Sequence, residues 1–146
     1  MNKFLIDVFQ LFASYKLIAA AKATAIAERE YASAEEIKFT PFTSCIGVIA
    51  KEGATLTAVH LTVLDDKEHK FCTIDAARVI GCLPTKPDKV KIVGCIDVWL
   101  HPDNKVQAAF EKLTGSLKNL QTLNWGDGTY GAKINGAEID VYKAWA

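Results

Sequence analysis

The chain has 146 residues, half of them hydrophobic and 23% charged, and its 17 basic and 17 acidic side chains cancel. This length and apolar content exclude a disordered chain and fit a single domain with a sizeable core. With no basic surplus, the electrostatic footprint of a nucleic-acid binder is missing, so no nucleic acid is expected as the main partner.

Residues 1–27 carry Phe4-Leu5-Ile6, Val8-Phe9, Leu11-Phe12, Leu17-Ile18 and then many alanines. Asp7, Gln10, Ser14 and Lys16 interrupt the apolar run, which disfavours a secretory signal. The longest uncharged stretch, Val8 to Tyr15, is far short of the ~18 residues a membrane span needs. Lys3, Asp7, Gln10 and Ser14 fall at helical spacing, so the pattern predicts an apolar N-terminal helix over residues 1–30. Such a helix would pack on a sheet or form the interface of a homo-oligomer.

Beyond it, residues 36–42 alternate as a first strand. Two apolar, partly β-branched runs around Lys51-Glu52-Gly53-Ala54 read as a β-hairpin. The run 65–70 is a charged turn. Thr73 is placed to cap a helix through Ile80, ended by Gly81 and Pro84. Residues 90–99 read as a strand and 101–104 as a loop whose Asp103 or Asn104 caps the next helix. That helix sets Val106, Ala109, Phe110, Leu113 and Leu117 on one face. Residues 120–125, 129–134 and 138–142 read as strands, separated by Gly126-Asp127-Gly128 and by Asn135-Gly136. The expected architecture is α+β over residues 1–146 as one domain. It is a strand-rich, mostly antiparallel sheet or sandwich with two to three helices and a core over residues 36–143.

The cysteines, Cys45, Cys72, Cys82 and Cys95, are spaced 27, 10 and 13 residues apart, match no zinc template and include no CxxC. Reduced thiols and a cytoplasmic setting are expected, with no metal and no cofactor. His69 and His101 read as turn and loop residues, and Asp97, alternating with Ile96 and Val98 on the expected strand, could orient a histidine or face outward. Trp99, Trp125 and Trp145 are too scattered for a stacking platform.

Cys45 and His60 are the most informative pair. With the hairpin loop centred on Glu52-Gly53, Ala50 pairs with Thr55 and Cys45 stands directly opposite His60. Opposed residues share a face with Cβ atoms ~4.5–5.5 Å apart, within reach of a thiol–imidazole hydrogen bond. An imidazole that accepts the thiol proton makes cysteine a nucleophile, so Cys45 is expected to titrate below an ordinary thiol. The bland reading is a buried core cysteine beside a space-filling histidine.

Thr43-Ser44-Cys45-Ile46-Gly47-Val48, with His60-Leu61 on the following strand, resembles the Cys–His signature of the chemotaxis receptor glutamine deamidases (CheD). It is also similar to the core of the cytotoxic necrotizing factor deamidase toxins and the Burkholderia lethal factor. The likeness spans about residues 38–141, and only the Cys-to-His segment is specific at residue level. The glycine usual before Ser-Cys in receptor deamidases is Thr43 here, and the glycine-rich and Arg-Asn motifs of their second half are missing. The resemblance implies a Cys-dependent deamidase acting on a glutamine of a protein partner, cytoplasmic or delivered as an effector, with Cys45 as nucleophile and His60 as base. It also implies a third group that orients the imidazole, either a threonine ahead of the cysteine or a backbone carbonyl. Thr40 is the first choice for it and Thr43 the second. The alternative is a non-enzymatic α+β binding or assembly module with Cys45 and His60 in its core.

Overall fold

The protein is described by a computed structural model over residues 15–144. Strand formation begins early, with β1 (Ile18–Ala19), β2 (Glu30–Ala34) and β3 (Glu36–Lys38). The central hairpin is β4 (Ile46–Glu52) and β5 (Thr55–Leu61), followed by α1 (Thr73–Cys82) and β6 (Lys89–Gly94). Then come α2 (Ile96–Leu100), a 3-10 turn (Pro102–Asn104), α3 (Gln107–Gly115), β7 (Leu120–Leu123), β8 (Tyr130–Asn135) and β9 (Glu138–Lys143).

The architecture is α+β. A six-stranded mixed sheet has the order β1-β2-β5-β4-β6-β7, antiparallel at its centre and parallel at both edge pairs. A three-stranded antiparallel sheet, β3-β8-β9, lies over one face. The helices lie over the other. Alternation along the central strands divides the core accordingly. Ile46, Val48, Ala50, Val59 and Leu61 pack with Phe71, Val79, Trp99, Phe110 and Leu113 on the helical side. Ile49, Leu56, Ala58 and Val93 meet Ile37, Phe39, Phe42, Tyr130 and Ile139 between the sheets. Among the described residues no helix is long and apolar enough to cross a membrane.

The expected N-terminal helix does not extend through residues 15–30. Tyr15 is buried, with its hydroxyl accepting from the Thr62 amide at 2.8 Å. Ile18 N–H then donates to Arg29 O at 3.0 Å, which draws this segment into the sheet as β1. Ladder bonds override the helix propensity of the alanines here. The rest of the expected helix, residues 1–14, lies outside the described residues.

Local chemistry explains three further differences. The expected strand over 90–99 stops at Gly94, where φ is +128° and a Cβ would lie 2.5 Å from Cys45 O. Past it, Ile96 and Trp99 bury one side of a short helix, a three-residue spacing hidden in an apolar run. The cap of α1 is Cys72, whose N–H donates to the Asp75 carboxylate at 2.9 Å, in place of Thr73. Neither Asp103 nor Asn104 caps α3; they form the 3-10 turn, and Val106 is the cap residue.

Both hairpins turn through a glycine at the first loop position, Gly53 at φ +61° and Gly136 at φ +62°. This is the place a two-residue type II′ loop reserves for glycine. Opposite His60 the sheet carries Gly47, because Phe39 and Phe42 fill the space: a Cβ there would lie 2.6 Å from Phe39 Cζ. Gly47→Ala is therefore predicted to destabilise the fold by about 1–3 kcal/mol through overpacking. A denaturation midpoint equal to that of the parent would contradict this packing.

Candidate functional site

Because Gly53 is the first loop residue, the β4–β5 register differs from the expected one: His60 stands opposite Gly47, not Cys45. Moving the loop centre by one residue shifts the register by two, which preserves the face. Cys45, one residue before β4, and His60 on β5 both lie on the side that faces the second sheet.

His60 is fully buried. Its ring is 4.7 Å from the Phe42 ring and 5.7 Å, edge-on, from that of Phe39. Nδ1 lies 2.9 Å from the carbonyl oxygen of Ile26. A carbonyl only accepts, so Nδ1 carries the proton and donates it. Thr40 Oγ1 is 3.5 Å from the same nitrogen, at the limit of hydrogen bonding. Burial lowers the His60 pKa, which keeps the ring neutral. Nε2 is then an unprotonated acceptor, buried and without a hydrogen-bond partner among the described residues. Leaving such a group unsatisfied costs about 1–3 kcal/mol, and a reactive role is one reason a fold retains it.

Cys45 is 1% exposed and follows Ser44, which adopts a left-handed φ of +66°. Holding a serine there costs on the order of 1 kcal/mol. Cys45 O accepts from Cys95 N–H at 2.9 Å, fixing the start of β4 against the end of β6. The thiol donates to Thr43 O at 3.4 Å and not to His60. Burial pushes its pKa up to about 11, the reverse of the depression expected from the sequence, because the thiol faces a dry core and not a charged imidazole.

The sequence offered Thr40 first and Thr43 second to orient the imidazole; in the structure the closest partner of Nδ1 is the Ile26 carbonyl. Thr40 stands second, and Thr43 is exposed, with its carbonyl accepting the Cys45 thiol. Thr43 and Ser44, the two residues that precede Cys45, line a groove of about 340 Å³ with Glu28, Thr62, Leu64 and Asn104. Asp97 is exposed on α2, His69 is paired with Asp65 in its turn, and His101 is exposed. None of these three joins Cys45 and His60.

Sequence reasoning missed several contributors. Ile26 acts through its backbone, which no side-chain pattern reveals. Cys95 donates its thiol to Asp127 Oδ1 at 2.9 Å, and the same oxygen accepts Ser44 N–H at 3.0 Å. Burial, with the Asp127 carboxylate second, pushes the Cys95 thiol up to about 12. Trp99 Nε1 donates to Ser44 O at 3.0 Å. Among the described residues no three His, Cys, Asp or Glu side chains are grouped to hold a metal ion.

The displaced titrations of His60 and Cys45 predict a stability plateau. Below the ordinary imidazole value of 6.5, the unfolded chain binds a proton that buried His60 refuses, so stability falls as pH drops. Between the ordinary thiol value of 9.0 and about 11, the unfolded chain loses a proton that Cys45 keeps, so stability falls as pH rises. Thermal unfolding midpoints should therefore be flat between these limits. His60→Gln should flatten the acid limb just below pH 6.5, and an unchanged limb in that variant would refute the burial of a neutral His60.

Compared with known proteins, the chain matches no family model, no curated protein and no solved structure.

Proposed function

We propose that this protein is a cysteine-dependent amidohydrolase that deamidates a glutamine side chain on a protein partner, with Cys45 as nucleophile and His60 as base. The observation that carries the reading is His60 itself. Its Nδ1 proton is committed to Ile26 O, and its Nε2 is a free buried acceptor on the same side of the sheet as Cys45. A general base needs that tautomer and that neutrality. The Thr43-Ser44-Cys45…His60 likeness to the Cys–His glutamine deamidases supplies the substrate class, and the groove beside Thr43 and Ser44 supplies an approach.

In the resting state the thiol is closed, bonded to Thr43 O. Catalytic hydrogen bonds are often absent or long before substrate binds. On opening, Sγ turns to Nε2 and gives it the proton. The thiolate adds to the carboxamide carbon, and the oxyanion that forms needs backbone N–H donors. The C–N bond breaks as the imidazolium returns the proton to the leaving nitrogen, releasing ammonia and leaving a thioester. Water then gives a proton to Nε2 and adds to the thioester carbon. Glutamate departs, and the proton returns to Sγ.

A non-catalytic binding module is the second reading, favoured by the 1% exposure of Cys45 and its raised pKa. One experiment separates the two. Protein extracts incubated with the wild-type chain are searched by mass spectrometry for glutamine-to-glutamate conversion, alongside ammonia release. The proposal expects conversion that Cys45→Ala abolishes and His60→Ala slows by about 10²–10⁴-fold. Thr40→Val should cost only about fivefold, the loss of one weak hydrogen bond. No conversion by the wild-type chain, or conversion indifferent to Cys45, would leave the binding module.

A further inference from the structure

We propose that Asp127 and Trp99 form a latch that holds the Cys45 thiol closed by clamping the left-handed Ser44 peptide from both ends. Serine does not adopt a φ of +66° of its own accord, so something must hold it there. Asp127 Oδ1 takes the Ser44 N–H at 3.0 Å, and Trp99 Nε1 holds the Ser44 carbonyl at 3.0 Å. Both grips come from far along the chain. Trp99 is a fully buried core residue of α2, so its indole N–H is fixed in place.

Asp127 is fixed by its loop. Gly126 and Gly128 flank it at φ +79° and +156°, conformations that glycine adopts without strain. Gly126 N–H donates to Gly94 O at 3.0 Å, and Tyr130 Oη donates to Gly126 O at 2.8 Å. Phe42 N–H donates to Gly128 O at 2.7 Å, and Gly128 N–H returns a bond to Phe42 O at 3.2 Å. The loop is thus tied to Phe42, just before Thr43, and to Gly94, which pairs with Ile46 just after Cys45. It presents an exposed carboxylate to the peptide that precedes the nucleophile.

Ser44 also lines the groove that Thr43, Glu28 and Thr62 share. A polypeptide seated there meets the clamped Ser44 peptide directly and competes for the hydrogen bonds of its backbone. Groove occupancy and release of the thiol are then one event. The latch rests on the deamidase reading for its purpose, but its test reads thiol chemistry alone. Asp127 is a positioning residue, acting through Ser44.

The test is iodoacetamide alkylation of the full chain near neutral pH, with the rate at each cysteine mapped by peptide mass. Asp127→Ala should accelerate Cys45 by about tenfold, the effect of one lost hydrogen bond on the closed state. Asp127→Asn should stay within about twofold of the parent, because an amide oxygen still accepts from both Ser44 and Cys95. Trp99→Phe, which keeps an aromatic ring but loses the N–H, should also accelerate Cys45, and it carries the test should Asp127→Ala fail to fold. Cys82, away from the latch, reports global loosening. Acceleration at Cys95 but not Cys45, equal acceleration at Cys45 and Cys82, or Asn behaving like Ala would each overturn the latch. Failure of the deamidase reading looks different: no glutamate is formed, whatever Asp127 does to the alkylation rate.

Discussion

The hydrogen bond from His60 Nδ1 to the carbonyl of Ile26 decides the chemistry of this fold. That oxygen also accepts Thr40 N–H at 2.9 Å, so both of its lone pairs are used and its position is set by the crossing of two segments. Burial removes the charged form of the ring, and the carbonyl selects the tautomer. A core histidine that only filled space would gain by satisfying its second nitrogen, or by giving way to a hydrocarbon of similar volume. The price of an unpartnered Nε2 is understandable if the atom waits for a proton.

The surrounding packing serves the same end. Gly47 opposite His60 leaves room for Phe39 and Phe42 to close over the imidazole, and the second sheet seals that face with Tyr130 and Ile139. Gly94 lets the end of β6 come close enough for Cys95 to bind Cys45 O. The strand that follows Cys45 is therefore held on both edges, while Ser44, just before Cys45, is bent into a left-handed turn. Order on one side and a left-handed φ on the other set Ser44 as the joint of the proposed latch. The larger groove of about 690 Å³, at the C-terminal ends of α1 and α3, holds neither cysteine nor histidine.

The α+β class, both hairpins and the shared face of Cys45 and His60 were legible because they follow from period-two alternation and from glycine-bearing turns. The register was misjudged by two because Gly53 takes the first loop position; the face survived because it depends only on parity. Gly94 inside an apolar run looked like a strand interior, since the run itself does not show that Cys45 O approaches from the neighbouring strand. Alanine-rich residues 19–27 favoured helix locally and lost to ladder bonds with Arg29 and Tyr31. Asp127 read as turn chemistry, which it is, but its bonds to Ser44 and Cys95 span 83 and 32 residues. Contacts of that range leave no local trace. The Ile26 carbonyl leaves none at all, because every residue has one.

The most direct measurement is nitrogen-15 NMR of the His60 imidazole in the folded chain across the neutral range. A neutral ring with Nδ1 protonated and Nε2 bare is predicted, persisting below pH 6.5, the ordinary imidazole pKa. An Nε2-protonated tautomer, or an imidazolium at neutral pH, would contradict the assignment of His60 as a poised base.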